Sequence, residues 1–518
     1  MNENFRFKDL PYVRPDFAKV KTELAAITEK MKNAASYDDA KVAYFNFEAT
    51  MSDLRDAYTI VSIRHTVDTR DKFYDDENEF LSEAFPELSP YTVAFSNALY
   101  DGKFKADFEK EFGKQLLSMI ELERKSFSEK NIPLQQKEAK LCNEYEKIIA
   151  SAEIDFDGEK RNLYGVMKYF EDEDREVRKA AWKKYEEFFA SHEKRFEEIW
   201  DELIKVRNEQ GRNLGFENFI PLGYMQQGRT DYNAADVASF REQVKEELVP
   251  LCSKLYEAQA KRLNLDKVRV YDENCVFADG NATPIGNDDE LVEIAREMYK
   301  DMSKETGEFI DFMIDHELLD LKNKPGKAST GYMTSILKYK APFVFSCFNG
   351  TIGDIQVLTH ELGHAFAGYE AMRNQPIADY YSESTDIAEI HSMSMEQFAY
   401  PYAEKFFGDK ALLDLVLARP NVRYTHNLAL KEFIGEDELS ALRFENTQTH
   451  ENVIVDAKCA FICIGQVPNN TAFANLVELD KAGYIVADEN CTTSCEGIFV
   501  AGDCRTKKIR QLVTAASD

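Results

Sequence analysis

Two histidines four residues apart, with a glutamate between them, form the segment of this chain best suited to chemistry. His360, Glu361 and His364 match the pattern H-E-x-x-H. Residues four apart on a helix project from one face, so both imidazoles can bind one metal ion. Zinc suits such a site, since it polarises a carbonyl group and lowers the pKa of water. Glu361 would take a proton from that water and pass it to a leaving amine.

The segment around this motif has the pattern of an amphipathic helix. Apolar residues recur at helical spacing on a face that excludes the two histidines: Ile355, Leu358, Leu362, Phe366 and Tyr369. Gly363 is less favourable than alanine inside a helix by about 1 kcal/mol. A glycine here indicates that another backbone or a ligand approaches closely.

A second segment starts in the same way and serves as an internal control. His316 and Glu317 are followed by Asp320 at the position of the second histidine. The chain has only eight histidines. We therefore expect no metal site at His316.

A third metal ligand is needed, and Glu389 is the leading candidate. It lies 25 residues after His364, which is far enough to end one helix and begin another. Asp386, one turn earlier, could accept a hydrogen bond from a ligand histidine and orient it. Spacing alone leaves three rival ligands open: Glu383, Glu396 and His391.

Four segments together resemble the M3 family of zinc metallopeptidases, in particular its oligoendopeptidase F branch. They are the H-E-x-x-H motif with Glu389-Ile-His-Ser-Met-Ser-Met, and the blocks 223–232, 326–332 and 342–351. The resemblance extends from about residue 1 to about residue 408. It implies a mainly α-helical, zincin-like body with a deep channel. It also implies one zinc ion held by His360, His364 and Glu389, with Glu361 as general base.

The same resemblance implies where a substrate would lie. Residues 342–351 resemble the strand along which the family places the substrate backbone, and an edge strand can pair with an extended peptide. We therefore expect four residues to contact substrate: Phe345, Phe348, Asn349 and Gly350.

From about residue 410 to 518 the chain resembles a different family, the thioredoxin reductase-like flavoproteins. The matching segments are 464–469, 497–505 and 510–516. The resemblance implies a small α/β fragment in which Asp503 and Gln511 would contact FAD if it were bound. The chain has no G-x-G-x-x-G turn and no C-x-x-C pair. Because the glycine-rich turn admits the pyrophosphate, we do not expect FAD to bind.

These observations predict three parts. Residues 1–210 form the helical N-terminal part of a peptidase, residues 211–408 form a zinc-binding catalytic part that is incomplete at its C-terminal end, and residues 409–518 form the reductase-like fragment. Net charge is −29, from 64 basic and 93 acidic residues. That balance disfavours nucleic acid and anionic membranes as partners. The first residues have no apolar signal region, and we expect a cytoplasmic protein.

The predicted function is that of a zinc metalloendopeptidase acting on short oligopeptides. One alternative is an inactive remnant that binds zinc or peptide, because the reductase-like fragment replaces the closing part of the catalytic domain. In the family that part supplies oxyanion-stabilising groups, whose loss costs about 10²–10³ in kcat. A flavin-dependent thioredoxin-disulfide reductase is the least favoured alternative.

Overall fold

A computed structural model describes residues 5–382, 384–408, 428–435, 440–446, 449–456, 474–481, 483–487 and 492–495, together with residues 498 and 500. The chain divides into two compact units, Met1–Val422 and Arg423–Asp518. The division predicted at residue 210 falls in the last turn of a helix, Arg175–Asn213, and remains a prediction.

The first half of the N-terminal unit is almost entirely helical. Its helices are α1 (Phe17–Lys32), α2 (Tyr37–Val67), α3 (Lys72–Ala84), α4 (Ser89–Tyr100), α5 (Lys105–Phe112), α6 (Lys114–Ser126), α7 (Ile132–Ala150), α8 (Leu163–Met167) and α9 (Arg175–Asn213). Between α7 and α8 lies a short hairpin of β1 (Ile154–Phe156) and β2 (Glu159–Arg161). Side chains at the first residues cap several of these helices. At α2, the Ser36 hydroxyl accepts from the Asp39 amide, and the Asp39 carboxylate accepts from the Ser36 amide.

The second half of this unit holds the H-E-x-x-H motif. Its helices are α10 (Ile220–Gln226), α11 (Ala234–Gln243), α12 (Val249–Arg262), α13 (Asp288–Met302), α14 (Lys304–Asp315), α15 (Ile352–Asn374), α16 (Thr385–Ala399) and α17 (Ala403–Phe407). A π-helical turn, Val244–Leu248, joins α11 to α12. The helix predicted around the motif is therefore α15, and Glu389 lies on the next helix, α16.

Three strands precede α15: β3 (Leu319–Lys322), β4 (Tyr332–Ile336) and β5 (Ala341–Phe348). The sheet order is β3-β5-β4, with β5 parallel to β3 and antiparallel to β4. All eight residues of β5 are buried. The expectation that 342–351 supplies the edge strand is therefore wrong. Because β5 is paired on both sides, β3 and β4 form the two edges of the sheet in the described part of the chain, and β4 is the one that leads from Gly331.

The main apolar core packs this sheet between helices from both halves of the unit. Leu358 and Leu362 of α15 are fully buried in it, together with Ile63 of α2 and Phe309 of α14. Phe366 and Tyr369 pack against the same core. The apolar stripe predicted for α15 is thus confirmed. It anchors the helix to the sheet and leaves the histidines on another face.

The C-terminal unit contains a small antiparallel sheet of β6 (Leu428–Ile434), β7 (Ala441–Asn446) and β8 (Asn452–Asp456). Bridges also join Leu479 to Ile485 and Ala487 to Thr493. A mainly helical body followed by a small sheet-containing region confirms the predicted fold class. Asp503 and Gln511 lie outside the described residues. Among the helices that are described, none combines the length and the hydropathy needed to cross a bilayer.

A buried lysine, just before β4, contacts residues of β3. The Lys327 side chain is fully buried, and its ammonium donates to the Asp320 carboxylate. It also donates to the carbonyl oxygens of Asp320, at 3.1 Å, and Lys322, at 2.9 Å. The ammonium lies 4.4 Å from the centre of the Phe345 ring. These contacts fix the segment before β4 against the end of β3.

We expect Lys327→Met to lower the free energy of unfolding by about 3 kcal/mol, because it leaves a largely buried carboxylate without its cation. Lys338→Met is the matched control. Lys338 pairs with Asp53 at the surface, where both side chains are more than half exposed. Its loss should cost less than about 1 kcal/mol. Urea unfolding followed by tryptophan fluorescence measures both, since Trp182 and Trp200 both lie on α9. Equal midpoints for the two variants would refute the prediction.

Candidate metal centre and catalytic site

The two helices of the site touch at Gly363. A Cβ atom built on this residue would lie 2.7 Å from the Cα of Ser392 and 2.8 Å from the Cβ of Met395, both on α16. It would also lie 2.9 Å from the carbonyl oxygen of His391. The expectation that Gly363 admits another backbone is confirmed. This close approach brings the histidines of α15 within reach of Glu389.

His360, His364 and Glu389 lie together in the structure. One ligand atom from each lies within 4.8 Å of the others. The distances to Oε2 of Glu389 are 3.3 Å from Nε2 of His360 and 3.7 Å from Nε2 of His364. Two imidazoles and one carboxylate are the ligand set of many catalytic zinc sites. The predicted ligands thus form a group able to hold a metal ion.

Neighbouring side chains orient these ligands. Oε1 of Glu396 lies 2.8 Å from Nδ1 of His360, which leaves Nε2 facing Glu389. The hydroxyl of Ser392, which is fully buried, donates to Oε2 of Glu389 at 2.8 Å. The carboxylate on His360 is therefore Glu396 and not Asp386, the candidate favoured by the sequence. Helical spacing could have indicated Glu396, because residues seven apart share a helix face and Glu396 is seven residues after Glu389.

Asp386 serves instead to fix the start of α16. Its carboxylate accepts two hydrogen bonds from the Arg229 guanidinium, at 2.9 and 3.1 Å, and a short one from the Tyr232 hydroxyl. The guanidinium also lies 4.4 Å from the centre of the Tyr224 ring. A bidentate Arg–carboxylate pair is geometrically restrictive. The segment 223–232 therefore holds α16 one turn before Glu389.

Glu361 lies buried beside the ligand group. Its exposed fraction is 8 %. Burial raises the pKa of its carboxyl group to about 7, the nearby Glu389 carboxylate acts in the same direction, and His360 opposes both. A pKa near neutrality suits a general base. The sequence assigned Glu361 this role, and its position between the two histidines is compatible with it.

The edge strand begins next to this carboxylate. A Cβ atom built on Gly331, the residue before β4, would lie 3.5 Å from Oε1 of Glu361 and 3.4 Å from Cγ1 of Val357. Within the described part of the chain, the outer edge of β4 pairs with no other strand. A backbone lying along that edge would therefore reach Glu361.

The substrate-contacting residues expected on and after β5 have other roles. The side chains of Phe345 and Phe348 are buried in the core, so the prediction is wrong for both. The amides of Asn349 and Gly350 donate to the Asp354 carboxylate. That arrangement fixes the turn into α15. The error arose because the resemblance identified the strand but did not show that strands on both sides of it would pair with its edges.

The second H-E segment, at His316, makes contacts with the N-terminal residues. His316 follows the end of α14, and its ring stacks on Phe5 with the ring centres 4.3 Å apart. Nδ1 of His316 lies 2.6 Å from the Phe5 carbonyl oxygen, and Glu317 pairs with Lys8. These contacts hold the N-terminal segment against α14. Of the rival ligands, Glu383 lies outside the described residues.

Comparisons with known proteins agree with this geometry. The family model for the Peptidase M3 N-terminal domain matches residues 7–127, and that for Peptidase family M3 matches residues 168–411. PZ peptidase A, solved with an inhibitor, is 42% identical with a TM-score of 0.78, and the match covers 80% of this chain and 73% of that one. An oligoendopeptidase F from Bacillus anthracis is 42% identical with a TM-score of 0.77, and the match covers 79% of this chain and 75% of that one.

The N-terminal unit therefore has the fold and the candidate site of a peptidase. The chain belongs to the M3 peptidase family, and its structural neighbours include oligoendopeptidase F proteins. The resemblance stated from the sequence is confirmed.

The C-terminal residues match a second family. The model for pyridine nucleotide-disulphide oxidoreductases matches residues 396–518. A 34.2 kDa protein of the rubredoxin operon of Clostridium pasteurianum is 35% identical over 124 residues, which are 24% of this chain and 39% of that protein. Thioredoxin reductase of Mycoplasma genitalium is 35% identical over 116 residues, 22% of this chain and 37% of that one. The chain thus spans about two fifths of the length of these relatives.

We expect Gly363→Ala to destabilise the protein by about 2 kcal/mol, because the added methyl group would overlap the backbone of α16. Gly353→Ala, in the first turn of the same helix, is the control. Its Cβ would meet only the Thr351 hydroxyl, at an ordinary 3.4 Å. Its expected effect is neutral or stabilising by up to about 1 kcal/mol. Urea unfolding compares the two, and the prediction fails if Gly363→Ala is as stable as Gly353→Ala.

Proposed function

We propose that this protein is a zinc-dependent metalloendopeptidase that hydrolyses short oligopeptides. The observation that carries the proposal is the group of His360, His364 and Glu389, with the buried Glu361 beside it. Family membership supports the peptidase activity, and the ligand set supports zinc.

The residues present fit a zinc ion. Nε2 of His360, Nε2 of His364 and the Glu389 carboxylate would hold it. When bound, zinc polarises the scissile carbonyl group and lowers the pKa of water. Glu396 and Ser392 would keep His360 and Glu389 in orientations that suit binding, as groups behind metal ligands generally do.

Glu361 supplies the proton transfers. Its carboxylate accepts a proton from the attacking water and then donates it to the leaving amine. Burial strengthens its electrostatic interactions and keeps bulk water from competing for the proton.

The substrate backbone would lie along the free edge of β4. Edge strands bind extended peptides through main-chain hydrogen bonds, which do not depend on substrate sequence. Gly331 would bring the peptide beside Glu361. Only an unfolded segment can pair in this way, so we propose short peptides as substrates, acting in the cytoplasm and without nucleic acid or membrane partners.

We expect Glu361→Gln to lower kcat for an internally quenched peptide by about 10²- to 10⁴-fold, because glutamine cannot accept the proton. The control is Glu370→Gln on the same helix, where the carboxylate contacts Asn374 at the surface. This variant should cleave like the parent protein. Unchanged cleavage by Glu361→Gln, with the zinc-loaded parent active, would exclude the mechanism.

We expect Glu396→Ala to weaken zinc binding about 10- to 100-fold, because His360 loses the carboxylate at its Nδ1 atom. Competition against a chromogenic chelator measures the dissociation constant. Glu370→Ala again serves as the control. Equal zinc affinities for the two variants would remove Glu396 from the proposed site.

A second candidate is an inactive protein that binds zinc or peptide, and one observation favours it. On the face of α16 turned away from α15, four large apolar residues are 45–58% exposed: Ile387, Ile390, Met393 and Phe398. The match also covers only 73% of PZ peptidase A and 75% of the oligoendopeptidase F from Bacillus anthracis. Both facts fit a catalytic domain that lacks its closing part. Zinc bound at normal affinity without turnover would establish this candidate over the first.

We propose no reductase activity for the C-terminal unit. The match covers less than two fifths of the reductases, and the chain lacks both the glycine-rich turn and a C-x-x-C pair. A purified protein with stoichiometric visible flavin absorbance would contradict this.

A further inference from the structure

A cleft of about 690 Å³, rich in hydroxyl groups, runs beside the edge strand. Helix α2 forms one wall, the last turns of α7 form another, and the segment 328–334, which includes β4, forms the third. Nine of its thirteen lining residues carry a hydroxyl group. An extended peptide on the edge of β4 would project alternate side chains toward this cleft.

Glu146, on α7, is the one charged residue among the described residues that line the cleft. Its side chain is exposed to the cleft, yet enough protein surrounds it that burial raises the pKa of its carboxyl group. In the described part of the chain we find no hydrogen bond or ion pair to this carboxylate. The next residue, Lys147, is already paired with Asp75, at 2.7 Å.

The cleft lies next to the start of the edge strand. Thr330 and Tyr332 line the cleft on either side of Gly331, the residue that lies against Glu361. The cleft therefore adjoins the segment of the edge strand that begins beside Glu361. A substrate residue paired near the start of β4 would have its side chain within reach of the cleft.

We propose that Glu146 is a specificity-determining residue that binds a lysine or arginine side chain of the substrate in this cleft. The inference rests on the proposed peptidase function. A cation supplies the partner that the carboxylate lacks, and the surrounding hydroxyl groups can accept its remaining hydrogen bonds. A partly desolvated, charge-assisted hydrogen bond is stronger than a pair at the open surface.

Peptide binding tests the inference without relying on turnover. The zinc-loaded Glu361→Gln protein is titrated into fluorescein-labelled peptides that differ only in the position of a single lysine, and anisotropy gives Kd. Each lysine is also replaced by norleucine, which keeps the length and removes the charge. At one position we expect this replacement to weaken binding about tenfold. In Glu361→Gln/Glu146→Gln the same replacement should change Kd less than about twofold.

The matched control is Glu361→Gln/Glu144→Gln. Glu144 lies on the same helix and pairs with Arg195, so its replacement changes net charge equally without touching the cleft. It should retain the lysine preference. A preference that appears at no position, or that survives Glu146→Gln, overturns the inference. A lysine preference in a parent protein that cleaves no peptide would refute the proposed function and leave the inference standing.

Discussion

The close packing of α15 against α16 is the constraint on which the whole site depends. Where Gly363 meets Ser392, the two helices approach to a distance that no side chain on residue 363 would permit. Only at that distance do the histidines of one helix and Glu389 of the other come within reach of one ion. The same contact places Glu396 against His360 and Ser392 against Glu389, because both residues lie on the face of α16 that packs against Gly363.

The sheet places the substrate relative to that site. β5 is buried and paired on both sides, so it supports the site without meeting a ligand. In the described part of the chain the outer edge of β4 pairs with no other strand, and Gly331 places the start of β4 beside Glu361. Lys327 fixes the segment before β4 through three oxygen acceptors. A buried ammonium group of this kind is stable only when its acceptors are arranged around it, and that arrangement restrains the edge strand.

The match to the peptidase family gives way to a match to a second family before the full length of the peptidase relatives has been covered. The apolar face of α16 opposite α15 remains exposed, although the helix carries a proposed zinc ligand. Apolar surface of this extent usually marks a position where another element packs. The ligands themselves are held from the other side, by α15 and by Arg229 on Asp386. Metal binding and turnover therefore depend on different parts of the chain and can be separated experimentally.

The sequence alone predicted the helix around H-E-x-x-H, proposed His360, His364 and Glu389 as ligands with Glu361 as base, and indicated a change of family along the chain. These follow from spacing along one helix and from local motifs, which do not require knowledge of distant contacts. The tertiary structure decided which strand forms the edge, that Glu396 and not Asp386 contacts His360, and that Glu146 shares a cleft with β4. Each of these depends on residues far apart in the chain, and only the packing of α2, α7, α15 and α16 around the sheet brings them together.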